Sequence, residues 1–188
     1  VKILILFVAV LGLVLTISTI PSSSAQFVDP IYMKFEGIDG EVTVQGHEKE
    51  IELNSFQFGV GRAITSPTGG SSNREASLPS ISEITITKMM DKASTKLFEE
   101  ALLGTGNKKV DIFFVLIGGQ GAPVTYAQYT LENVLVSGYS VSSGGDRPTE
   151  SLSLNFAKIT FKHTVIDPQG KPEASESVGY DLALNKKI

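Results

Sequence analysis

The chain has 188 residues, 41% of them apolar, with 16 Lys and Arg against 20 Asp and Glu. A formal charge of −4 without clustered cations argues against a nucleic-acid surface, whose affinity rests on grouped Lys and Arg that release counterions. Zero cysteines exclude a disulfide framework, a thiolate nucleophile and a sulfur-ligated metal.

The chain opens on "VKILILFVAVLGLVLTISTIPSSSAQF". One cation at Lys2, an apolar run from Ile3 to Leu15 and a polar stretch ending Ser23-Ser24-Ala25 follow the order of a secretory signal. Small residues stand at the −3 and −1 positions of a cut after Ala25, so residues 1–25 are expected to be a signal peptide and the product secreted. The alternative is an uncleaved anchor: extended through Ile20 the segment approaches the roughly 20 residues of a spanning helix. Thr16, Ser18 and Thr19 favour cleavage. What remains, residues 26–188, suits one domain with one core. Its glycines, β-branched and aromatic residues favour short strands joined by turns, so the expected class is all-β.

Ile31 to Val42, "IYMKFEGIDGEV", reads as a strand, a turn at Asp39-Gly40 and a second extended piece. In "KEIELNSFQFGVG" the apolar phase steps from Ile51 and Leu53 to Phe56 and Phe58, which predicts a bulge at Asn54-Ser55. Arg62 to Ser82 holds two prolines, a glycine pair and many serines without a period, and is expected to be a long contact loop. "EITITKMM" is a short strand. In "DKASTKLFEEALLG", Ser94 is the expected N-cap and Gly104 the stop of a helix whose apolar face is Leu97, Phe98, Ala101 and Leu102. About ten helical residues are marginal alone, so that face must lie on the sheet as a lid. Glu99-Glu100 reads as its solvated side.

"KKVDIFFVLI" is apolar on both faces, as a strand covered on two sides would be, and "GGQGAP" breaks it. Val124 to Ser143 supplies one or two strands. Thr149 to Ile166 is expected to be the longest strand, with a second bulge at Ala157-Lys158. After the polar segment Asp167 to Ser177, alternating Val178, Tyr180, Leu182 and Leu184 predict a closing strand. The joint before Thr149 is a preset corner: Gly144 and Gly145 accept positive φ, Asp146 can accept from nearby backbone, and Pro148 fixes its own φ. Arg147 lies between Asp146 and Glu150, so it either closes a local ion pair or contacts a neighbouring subunit. The strands on either side of this corner fold back in a closed or nearly closed sheet.

Reactive groups are scarce. His47 and His163 are the only histidines, and neither an H-x-x-x-H spacing nor G-x-S-x-G occurs. "GVGRAI" and "GGQGAP" are incomplete as phosphate loops. No catalytic, metal-binding or cofactor-binding residue is expected, and no cofactor.

The segments "KFEGIDGEV", "IELNSFQFGVGRA", "ITITKMMDKASTKLFEEALLG", "YTLENVLVSGYSVSSGGDRPTESLSLNFAKITFKH" and "GYDLALNKKI" together span nearly all of Ile31 to Ile188. In order and spacing they resemble the tube protein of type VI secretion systems, the haemolysin-coregulated protein or Hcp family. The resemblance implies a β-barrel with one packed α-helix and a long extended loop, in subunits that form homo-hexameric rings stacking into hollow tubes. The loop at Arg62 to Ser82 would reach an adjacent ring, with Arg62, Ala63, Ile64, Thr65 and Leu78 as inter-ring contacts. Asp146, Arg147 and Glu150 are the candidate ring or turn contacts. The expected function is thus a non-enzymatic structural subunit of an extracellular tube, partnered by itself. The alternatives are a secreted ring that carries a protein cargo in its lumen, and a monomeric binding module. No nucleic-acid partner is expected, and membrane contact only through an uncleaved leader.

Overall fold

The computed structural model describes residues 29–65, 75–118 and 122–188, so the expected leader at 1–25 and part of "GGQGAP" lie outside the described residues. In chain order the elements are β1 (Ile31–Phe35), β2 (Ile51–Leu53), β3 (Ser55–Gln57), β4 (Val60–Gly61), β5 (Ile64–Thr65), β6 (Glu75–Ala76), β7 (Ser80–Ile81), β8 (Ile84–Met89) and α1 (Ser94–Leu103). They continue with β9 (Lys108–Leu116), β10 (Val124–Ser142), β11 (Thr149–Asn155), β12 (Lys158–Ile166), β13 (Pro172–Asp181) and β14 (Lys186–Lys187). No helix among the described residues is long and apolar enough to cross a membrane.

Antiparallel pairing runs from β10 through β9 and β1 to β2 on one side, and through β11 and β8 to β3 on the other. β2 and β3 are one strand interrupted at Asn54, whose N–H donates to the Thr87 carbonyl at 2.7 Å. The circuit therefore returns on itself, which is the barrel the sequence predicts. The phase step at Asn54-Ser55 marks where the chain exchanges one strand partner for another.

The longest strand is β10, with 19 residues, and not the Thr149–Ile166 segment. That segment lies along β10 in two pieces, β11 and β12, broken at Phe156-Ala157. The break is where the second bulge was expected, and it lets β11 join β8 inside the barrel while β12 joins β13 in an arm outside it. The polar Pro172–Ser177 stretch belongs to β13 as an exposed edge strand. The predicted closing strand consequently starts earlier and ends at Asp181 in a turn.

The first hairpin is also different. The turn after β1 is at Glu36-Gly37, with Gly37 at φ 82°, and the next residues do not form a strand. Residues 39–50 fold back on themselves instead: the Gly40 N–H donates to the Lys49 carbonyl and the Val42 N–H to the Glu50 carbonyl. A side chain at Gly40 would force the backbone to shift, since a Cβ would come within 2.0 Å of the Glu50 carbonyl oxygen. This loop covers the outer face of β1 and β9, where Tyr32 and Phe113 flank the His47 ring. Both faces of β9 are apolar for that reason: Ile112 and Phe114 face the core, Phe113 the loop.

The core is built from inward positions of the barrel strands, among them Met33, Ile51, Ile86, Ile112, Leu131 and Leu152, all fully buried. Helix α1 leads from the end of β8 to the start of β9, and Leu97 is its fully buried contact with the core. Ser94 is not its N-cap. Ala93 holds that position, while Asp91 Oδ1 accepts from the Ala93 N–H and Ser94 Oγ from the Asp91 N–H, both at 2.9 Å. Of the expected apolar face, Ala101 packs on the core but Phe98 and Leu102 stay exposed.

Candidate self-assembly surfaces

The segment expected to be a structureless contact loop is a two-stranded ribbon in its described part. β4 pairs with β7 and β5 with β6, so Thr65 lies opposite Glu75. Between the two ladders the Arg62 Nε donates to the Ser77 carbonyl at 2.8 Å, and the Ala63 N–H donates to Ser77 Oγ at 3.0 Å. These bonds hold the ribbon in shape and leave its apolar side chains to solvent: Ile64 is 60% exposed and Leu78 64%, with Val60 close behind. Residues 66–74 lie outside the described residues.

At the Asp146–Glu150 corner neither predicted local pair forms. The Arg147 Nε donates to the Met90 carbonyl and its guanidinium lies 3.5 Å from Glu41, so Arg147 ties the corner to the end of β8. The Asp146 carbonyl accepts from Ser143 Oγ, and Gly145 takes a positive φ as expected. Glu150 points inward. It is the register partner of Lys88, both are fully buried, and Lys88 Nζ donates to Glu150 Oε2 at 2.7 Å. Lys88 also donates to Asp91 Oδ1, Ser94 Oγ and the Met89 carbonyl, and Tyr139 OH donates to Glu150 Oε1 at 2.7 Å. Burial works to raise the Glu150 carboxyl, but the bonds from Lys88 and Tyr139 and the lysine's charge hold it below the usual range. Burial and the bond to Glu150 push the Tyr139 phenol up to about 12. Glu150 thus cannot touch a neighbouring subunit; with Lys88 it fixes the start of α1 against the barrel.

Sequence reasoning passed over Lys88 and the far end of α1. Lys88 shares its face with Ile84 and Ile86, and Glu150 shares its face with Leu152 and Leu154. Two opposite charges in inward phase were the available signal. At the helix end Leu103 is 74% exposed beside Leu102 and Phe98. The ribbon leads into the start of β8 and the helix follows the end of β8, so the two uncovered apolar surfaces belong to separate stretches of the chain. Beneath the ribbon a hollow of about 390 Å³ opens between Phe58, Val60, Pro79 and Ile81 on one side and Phe161 and Val178 of the arm on the other.

The family profile described as "Type VI secretion system effector, Hcp" matches residues 32–163. Protein hcp1 of Pseudomonas aeruginosa is 35% identical over 83 residues, 42% of this chain; the chain spans about half the length of that relative, 49%. A solved structure of a type six secretion system protein superposes with TM-score 0.78 at 30% identity, over 86% of this chain and 100% of the other. The crystal structure of Hcp1 from Salmonella typhimurium gives TM-score 0.67 at 26% identity, over 85% and 99%.

Proposed function

Because the chain belongs to the Hcp family of type VI secretion, whose members are tube proteins that assemble with themselves, we propose that it is a structural subunit closing into six-membered rings that stack as a hollow extracellular tube. One observation carries this reading: two unlike apolar surfaces, the ribbon and the far end of α1, stay open on one barrel. Exposed patches of this kind mark contact sites, and unlike surfaces that mate head to tail build rings or filaments rather than closed pairs. The ribbon is the inter-ring contact, with Arg62, Ala63, Ile64, Thr65 and Leu78 meeting the next ring. The exposed Asp146-Arg147 corner is a ring contact, while Glu150 supports it from inside. In this reading residues 1–25 direct export and are removed, and residues 26–188 form the tube.

Deleting Thr65 to Pro79 tests the assignment. Negative-stain microscopy and light scattering of the deleted chain are expected to show rings without stacks. Unaffected tubes would overturn the inter-ring role, and an undeleted chain that stays single at high concentration would overturn self-assembly itself.

A further inference from the structure

The loop that covers β1 and β9 joins β10 through a chain of three polar side chains whose hydrogen bonds self-assembly does not require. The His47 Nδ1 lies 2.7 Å from Glu50 Oε2, and its Nε2 lies 3.2 Å from Thr125 Oγ1 at the start of β10. His47 and Glu50 are buried, whereas Thr125 is half-buried and lines a small surface cavity of about 70 Å³ with Gln128, Lys162 and Thr164. A Glu50 carboxylate facing Nδ1 favours the tautomer with its proton there. Nε2 is then the ring nitrogen that accepts from the hydroxyl of Thr125, a residue that also lines the cavity. A nucleophile within hydrogen-bond reach of a base, which a third group orients, is the arrangement that activates a serine or threonine.

We propose that Thr125 is an activated hydroxyl that accepts a small acyl group from an activated ester, with His47 as its base and Glu50 as a positioning residue. Thr125 Oγ attacks the ester carbonyl carbon and forms the new C–O bond, while the bond from that carbon to the leaving oxygen breaks. The threonine proton passes to His47 Nε2 and from there to the leaving oxygen, so no oxidant or reductant enters. The cavity's size limits the acyl group to about that of an acetyl. Charged or titratable groups around the dyad are Glu48 on the loop, Tyr32 and Lys34 on β1, Asp111 on β9 and Lys162 on β12. The site is a modification point on a structural protein, and the tube reading stands or falls independently of it.

The test is treatment of the full chain with p-nitrophenyl acetate, followed by peptide mass mapping over a pH series. The expected result is an acetyl group on Thr125, formed at a rate that rises with pH through one ionisation. That ionisation should vanish in His47→Asn with a rate loss of about 100-fold or more, the usual scale of general-base assistance. Thr125→Ser should keep the reaction and Glu50→Gln slow it. Thr125→Val changes a half-buried side chain and guards against misfolding of the histidine variant. Acetylation confined to lysines, or a rate unchanged in Thr125→Val, would overturn the proposal.

Discussion

Lys88 and Glu150 face each other across β8 and β11 as register partners, 2.7 Å apart and both without solvent exposure. A buried pair of this kind is costly to break and cheap to replace as a whole, because the loss of one partner strands the other charge in the interior.

Lys88→Met alone is expected to destabilise the barrel by about 3–5 kcal/mol. The double variant Lys88→Met with Glu150→Leu should recover most of that loss. Urea unfolding of the wild type, the single variant and the double variant measures both; a double variant as weak as the single one would contradict the account.

The same pair sets an acid response. The Glu150 carboxyl is held below its ordinary value of about 4.3, so its contribution is complete above that pH and is lost as pH falls through the lower, folded value. Glu50 has the opposite sign: burial raises it, against the His47 bond, so its contribution is present on the acid side and lost as pH climbs through the raised value. Urea midpoints between about pH 3 and pH 6 should fall less on acidification in the Lys88→Met, Glu150→Leu double variant than in wild type. Glu50→Gln should instead flatten the decline just above the ordinary glutamate value.

Gly40 and Gly144 make a matched pair of probes. An alanine at Gly40 meets the Glu50 backbone at 2.0 Å, while one at Gly144 meets nothing within 4 Å. Gly40→Ala is expected to cost about 3 kcal/mol, at the upper end of overpacking, and to loosen the 39–50 loop. Gly144→Ala should stay within about 0.5 kcal/mol, as surface changes usually do. Thermal unfolding compares the two, and hydrogen exchange of the Val42 and Lys49 amides localises the effect.

Leu103 is exposed at the helix end, so Leu103→Glu should leave unfolding within about 0.5 kcal/mol of wild type. If that surface is a subunit contact, the same substitution lowers the sedimentation coefficient of the assembled protein. Unchanged assembly would remove the helix end from the contact.

Most of the barrel was legible because alternation reports which side of a strand is covered. The phase steps at Asn54-Ser55 and Ala157-Lys158 located both strand breaks, though not their purpose, since a slip of phase does not name the new partner strand. The local ion pair expected of Arg147 does not form: adjacency along the chain suggested Asp146 and Glu150, whereas the barrel brings Met90 and Glu41 closer. Residues 39–50 were opaque: the loop has no period, and its shape depends on the fit of Gly40 against Glu50 and of His47 between two rings. Ser94 was taken for a cap because local sequence could not show its hydroxyl turned to the Asp91 N–H and Lys88, with Ala93 at the cap position. The ribbon escaped notice because its strands are two residues long, too short for alternation to register.

The strand β10 lies against β9 on one edge and against β11 and β12 on the other for most of its length. Tension applied parallel to it loads all those backbone bonds together in shear, so none can yield before the rest. The corner at Asn54 has no such sharing: β2 and β3 bring three residues apiece to their partners. A subunit under pull is therefore stiff lengthwise and yields first at that seam.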